Sequence, residues 1–152
     1  MGDAPASPSP KPAYAGDVSA PEAWDGLAKN PAAQLVDVRT DAEWNFVGAP
    51  ELRRIGRQTL FCQWQHFPKG EQNPTFVAET KALLARAGHR QGAPLYFLCR
   101  SGARSRAAAI AMTAAGLGPC FNVASGFEGN LDTERHRGEG GWKAEGLPWT
   151  QS

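Results

Sequence analysis

The sequence predicts an α/β fold, a mostly parallel central sheet with helices on both faces. Two observations carry this reading. Short apolar runs such as "QLVDV" and "PLYFLC" alternate with segments of helical periodicity, an order that builds right-handed βαβ units. "PLYFLC" is apolar on nearly every residue, and Leu35, Val36 and Val38 form a shorter apolar run, as in strands buried on both sides. A length of 152 residues, 41% hydrophobic and 20% charged, suits one domain around one core.

Residues 1–13, rich in Pro, Ala and Ser, are expected to form a disordered tail, and residues 14–152 a single domain. "YAGDVS" reads as a short edge strand. In "SAPEAWDGLAKN", Ser19 can cap a helix while Glu22 reaches back in a capping box. Pro21 is tolerated in the first turn, and Trp24 and Leu27 share one face. "AQLVDVR" is a buried strand, "DAEWNF" one helical turn, and "TLFCQWQ" alternates as a strand does. "NPTFVAETKALLARAGHRQG" is a helix capped by Asn73 or Thr75, with Phe76, Leu83 and Leu84 on its apolar face and Gly88 at its end. "PLYFLC" is a strand, "SRAAAIAMTAAG" a helix stopped by Gly116, and "CFNVA" a last strand. "RHRGEGGWKAEGLPW" reads as loop, with Trp142, Leu147 and Trp149 able to fold back onto the core.

The net charge of +1 gives no basic stripe for nucleic acid. Cys62, Cys99 and Cys120 are odd in number and widely spaced, neither a disulfide framework nor a CxxC metal or redox motif. His66, His89 and His136 share no metal-ligand spacing. With no signal-peptide or membrane-span pattern, the expected setting is a reducing cytoplasm, and the expected state a monomer.

The segment with chemistry is "CRSGARS". Cys99 ends a strand, and the next helix is expected to begin near Arg104 or Ser105. The first amides of a helix lack internal acceptors and carry the positive end of its dipole. Gly102 lets the backbone curl into a nest of N–H donors. Arg100 and Arg104 add charge, so Cys99 is expected to ionise more readily than a free thiol and to act as a nucleophile. The plainer alternative, a core cysteine, fits poorly with a strand that runs straight into Arg-Ser-Gly-Ala-Arg.

Competing motifs fail. No lysine follows the second glycine of a nucleotide-binding GxxxxGK[ST] pattern. "GLGPCF" follows a helix and has Phe121 where a third glycine would belong. Cysteine-dependent phosphatases space Cys and Arg by five residues. Here position 105 is Ser, and the shorter loop suits sulfur bound to sulfur better than a tetrahedral phosphate.

These residues resemble the rhodanese (sulfurtransferase) family. "LVDVRTDAEW" is similar to its first signature, "CRSGARS" to its active-site loop, and "GFEG" with "GWKAEGLPW" to its closing segments. The resemblance implies a single rhodanese domain that moves a sulfane sulfur through a cysteine persulfide, with no metal or organic cofactor. Cys99 is then the nucleophile and carrier. The amides of Arg100, Ser101, Gly102, Ala103, Arg104 and Ser105 would cradle the persulfide. Arg100 and Arg104 would hold an anionic donor such as thiosulfate, and the acceptor would be cyanide, a thiol or a protein. A sulfur-carrier or protein-binding module with little turnover is the alternative. One departure lies at "EWNFVGAPEL", where the family's usual Gly-His-Ile-x-Gly-Ala histidine is missing.

Asp37 and Arg39 match the family's Asp-x-Arg element and are read as ordering loops beside the site, with contact to substrate as the alternative and Glu43 as a partner for Arg39. Cys62 and Cys120 read as packing residues, with a resolving role for Cys62 as the alternative. Trp44, Trp64, Trp142 and Trp149 also read as packing residues.

Overall fold

A computed structural model describes residues 13–151; the expected tail, residues 1–13, lies outside them except for Ala13. The central sheet has five parallel strands in the order β1-β8-β7-β2-β4. These are β1 (Gly16–Val18), β2 (Gln34–Asp37), β4 (Leu60–Phe61), β7 (Leu95–Leu98) and β8 (Cys120–Val123). β2 and β7 are buried at every position. β1 is an edge strand, as the sequence predicts.

Strand alternation divides the core in two. Val36, Leu95 and Phe97 face one side, where they pack with Phe76 and Leu84 of α3 (Phe76–Ala87) and with Ala108, Ala109 and Met112 of α4 (Ala103–Ala114). Leu35, Tyr96 and Leu98 face the other, against Ala23 and Leu27 of α1 (Ala20–Lys29) and against Phe127 and Trp142. Helices therefore cover both faces. Ser19 and Glu22 form the expected capping box of α1, with Ser19 N–H to Glu22 Oε1 at 2.7 Å and Glu22 N–H to Ser19 Oγ at 3.1 Å.

"DAEWNF" keeps its expected helical bounds as α2 (Asp41–Phe46), with a second capping box between Thr40 and Glu43 at its start. Several boundaries differ from the sequence reading. In "TLFCQWQ" only β4 joins the ladder. Beyond it, the Cys62 and Trp64 amides reach the Asp37 and Val38 carbonyls where β2 ends, so no partner strand remains to extend the pairing. The chain turns off into a small antiparallel pair, β5 (Gln65–His66) with β6 (Glu71–Gln72). Before α3, Thr75 makes no side-chain cap bond; the Asn73 side-chain oxygen Oδ1 instead accepts from the Thr75 amide in a local turn. Gly88 ends α3 in the left-handed conformation.

"CFNVA" is not the last strand. A short hairpin, β9 (Asn130–Leu131) with β10 (Arg137–Glu139), follows it, and β11 (Trp149–Thr150) pairs with β3 (Ala49–Pro50). The tail does fold back. Trp142 is fully buried with its indole N–H on the Pro148 carbonyl, and Leu147 packs on the core. Trp149 stays at the surface, edge-on to Phe127 and under the Lys143 ammonium.

No helix among the described residues is long and apolar enough to cross a membrane.

Candidate active site

Cys99 follows the last residue of β7, at the carboxyl edge of the sheet, where parallel α/β sheets place their ligand sites. α4 begins at Ala103, one residue or more earlier than the sequence suggested, because Gly102 is its N-cap with φ of 111°. An alanine Cβ at Gly102 would stand 2.3 Å from the Ala124 carbonyl oxygen. Glycine is therefore needed for both the turn and the close approach.

This early start brings helix donors to the sulfur. The Gly102 amide donates to Cys99 Sγ at 3.1 Å, and the Ser105 hydroxyl lies 3.1 Å from the same atom. The amides of Ala103, Arg104 and Ser105 belong to the first turn of α4 and have no intrahelical acceptor. Sulfur and donors are buried together: Cys99 is 1% exposed and Ser105 is fully buried.

The carbonyls of Cys99 and Arg100 are held by the segment after β8. The Phe127 amide donates to the Cys99 carbonyl at 2.8 Å, and the Glu128 amide to the Arg100 carbonyl at 3.0 Å. "GFEG" thus clamps the loop from behind. Gly126 makes room for this, since a Cβ there would stand 2.4 Å from the Arg100 carbonyl oxygen.

The two arginines of the loop part company. Arg100 is exposed and lines a cavity of about 690 Å³ with Arg104, Phe46, Val47, Phe67 and Glu128. Arg104 forms a bidentate pair with Glu43, Nη1–Oε1 2.7 Å and Nη2–Oε2 2.9 Å. Burial alone would push the Glu43 carboxyl up. The Arg104 hydrogen bonds and charge, helped by Thr40, overcome this and hold it down at about 2. Glu43 in turn raises the Arg104 guanidinium. Ser101 is half-buried and Ala103 exposed. Phe46 and Val47, in the segment lacking the family's histidine, form part of the cavity wall.

Arg39 does not meet Glu43 as expected. It is fully buried and pairs with Asp37, Nη2–Oδ2 2.7 Å, while also donating to the Gly48 carbonyl and stacking on the Phe127 ring at 4.3 Å. Asp37 lies two residues away on the same strand end and claims the guanidinium before a loop carboxylate can. The pair ties β2 to the loop after α2 and to the clamp behind Cys99.

Burial pushes the Cys62 thiol up to about 11 and raises Cys120 as well, so both remain packed thiols near neutrality. Among the described residues no cluster of three or more His, Cys, Asp or Glu could hold a metal ion.

Sequence reasoning missed Glu43 as the partner of Arg104, the Phe127–Glu128 clamp and Asn122. Asn122 is 3% exposed in the middle of β8, with Oδ1 2.6 Å from the Ser105 hydroxyl. A buried amide in a short apolar strand was the available signal, since such a group needs partners.

A family model described as the STR4 middle domain matches residues 15–152. An uncharacterized RP600 homolog of Rickettsia rickettsii is 38% identical over 133 residues, covering 88% of this chain and 95% of that protein. The chloroplastic thylakoid rhodanese-like protein of Oryza sativa subsp. indica is 31% identical over 135 residues, covering 89% of this chain and 25% of that longer protein. The crystal structure of Rv0390 from M. tuberculosis superposes with a TM-score of 0.82 at 48% identity, covering 91% of this chain and 99% of that one. The polysulfide-sulfur transferase of Wolinella succinogenes, at 23% identity and a TM-score of 0.53, covers 90% of this chain and 78% of that one and shares the fold. A parallel sheet with a cysteine loop at its carboxyl edge, the family match and the Rv0390 superposition lead to one conclusion: the chain belongs to the rhodanese-like family.

Proposed function

We propose that the protein is a sulfurtransferase that carries a sulfane sulfur as a Cys99 persulfide. The Cys99 sulfur attacks the outer sulfur of thiosulfate or of a small persulfide. The new Sγ–S bond forms as the old S–S bond breaks, and sulfite or a thiol leaves with the bonding electron pair. A nucleophilic acceptor (cyanide, a thiol or a protein cysteine) then attacks the outer sulfur, and Cys99 leaves as thiolate. One observation carries the reading: the Gly102 amide donates to Sγ at 3.1 Å, at the mouth of a helix. A fixed backbone donor of this kind stabilises negative charge on sulfur without reorganising. The unpaired amides of the first helical turn supply further donors for the outer sulfur.

The test is to incubate the protein with thiosulfate and weigh it intact. A gain of one sulfur atom, absent in Cys99→Ser, supports the proposal. No gain with thiosulfate or with a small organic persulfide would refute it.

A second reading, a sulfur carrier with little turnover of its own, is favoured by the state of Arg104. That guanidinium is already matched by Glu43, which leaves Arg100, on the wall of the same cavity, to meet an anionic donor. Thiosulfate with cyanide separates the two readings. An enzyme turns over repeatedly, whereas a carrier loads once and stalls until its partner is supplied.

A further inference from the structure

We propose that Asn122 is a positioning residue that competes with Cys99 for the single hydroxyl proton of Ser105 and thereby restrains the nucleophilicity of the sulfur. The Asn122 Nδ2 donates to Asp17 Oδ1 at 3.1 Å, and the Tyr14 hydroxyl donates to the same oxygen at 2.9 Å. A carboxylate can only accept, so the amide has one orientation. Its carbonyl oxygen must face Ser105, and it lies 2.6 Å from Oγ. That oxygen also only accepts, so Ser105 has to supply the proton. Ser105 has one proton, and the other claimant is Cys99 Sγ at 3.1 Å.

With its proton on Asn122, Ser105 turns lone pairs toward the sulfur. It can then accept from a Cys99 thiol. It cannot favour an anionic sulfur until the hydroxyl swings round, and that swing strands a buried carbonyl oxygen at a cost. Asn122 therefore biases the resting sulfur toward its less reactive form. If Cys99 carries sulfur as proposed above, the same bias makes its thiolate a poorer leaving group, so a loaded sulfur is retained longer.

The charged groups around this chain are Arg104 with Glu43, and Asp37 with Arg39 at the end of β2. Asp17 lies beyond Asn122, and Arg106 sits over the Tyr14 ring at 5.7 Å. The first two pairs are internally matched and make no hydrogen bond to Ser105 or Asn122 among the described residues.

The test is the rate at which iodoacetamide alkylates Cys99 in the reduced protein near neutral pH, with the modified site read by peptide mass mapping. No sulfur donor takes part, so the result stands apart from the sulfur-transfer proposal. Asn122→Ala should react roughly tenfold faster, the size of one hydrogen bond to a charged acceptor. Asp17→Ala, an exposed change on the edge strand that leaves the core intact, should act in the same direction by freeing the amide to turn. Both accelerations should vanish in a Ser105→Ala background, because they act through that hydroxyl. Unchanged or slower alkylation in both variants would overturn the proposal. So would an acceleration that persists without the Ser105 hydroxyl, which would mark a general loosening of the loop.

Discussion

Arg104 and Glu43, 61 residues apart in the chain, meet in a bidentate ion pair that joins the first turn of α4 to the capping box of α2. A cation at a helix N-terminus opposes the helix dipole. Glu43 offsets this, and the same carboxylate accepts from the Thr40 amide and hydroxyl. One side chain thus closes α2 and neutralises the arginine beside the sulfur.

Glu43→Gln should lower stability by roughly 1–2 kcal/mol at neutral pH, as expected for a partly buried pair. The Glu43 carboxyl is depressed from 4.5 to about 2, so its contribution is fully present above the unfolded value. It fades as pH falls through the folded value, since protonation then breaks the pair. Denaturation of wild type and variant across the acid range checks this: the difference between them should shrink between about 4.5 and 2. A constant gap would mean that the charge of Glu43 plays no part.

Gly102→Ala should cost about 1–3 kcal/mol and slow sulfur loading by more than tenfold. The added methyl meets the Ala124 carbonyl, and the left-handed backbone is strained for alanine. Thermal denaturation with timed intact-mass measurement tests both parts. Loading at the wild-type rate would show that the loop does not depend on this turn.

Arg39→Lys should destabilise by roughly 3–5 kcal/mol, because a buried pair is broken and lysine reproduces neither the fork nor the stack on Phe127. At a temperature where the variant stays folded, its loading rate should remain within a few-fold of wild type. A large loss of loading in folded protein would instead place Arg39 in contact with the reacting groups.

Cys62→Ala should leave sulfur loading unchanged and cost about 1 kcal/mol, the loss of a small buried group. Donor-treated protein digested and mapped by mass should show no Cys62–Cys99 disulfide. Finding one would restore a resolving role for Cys62.

The parts of this structure legible in the sequence are those made by near neighbours. The Ser19–Glu22 box is an i to i+3 interaction, and the Gly102 turn is announced by the residues on either side of it. The strand β7 declares itself by an unbroken apolar run. What stayed hidden depends on pairings across the fold. Glu43 has two arginines within reach of a plausible guess, Arg39 nearby and Arg104 far along the chain. Only the buried Asp37–Arg39 pair decides between them. Asn122 carries no motif, and its meaning comes from Ser105 on one side and Asp17 on the other. The hairpin and short strands after residue 129 escaped because each has only two or three paired residues, too few for a periodicity to register.

The carbonyls of Cys99 and Arg100 are both held by the backbone of Phe127 and Glu128. A polypeptide leaving the ribosome has made its cysteine well before it has made that brace. Until the brace emerges and docks, the thiol sits on an unsupported turn with none of its guardians in register. Fragments that stop short of Glu128 should therefore behave toward electrophiles as ordinary cysteine peptides do, and whatever sets the full chain's thiol apart from them should arrive late, with the closing third of the chain.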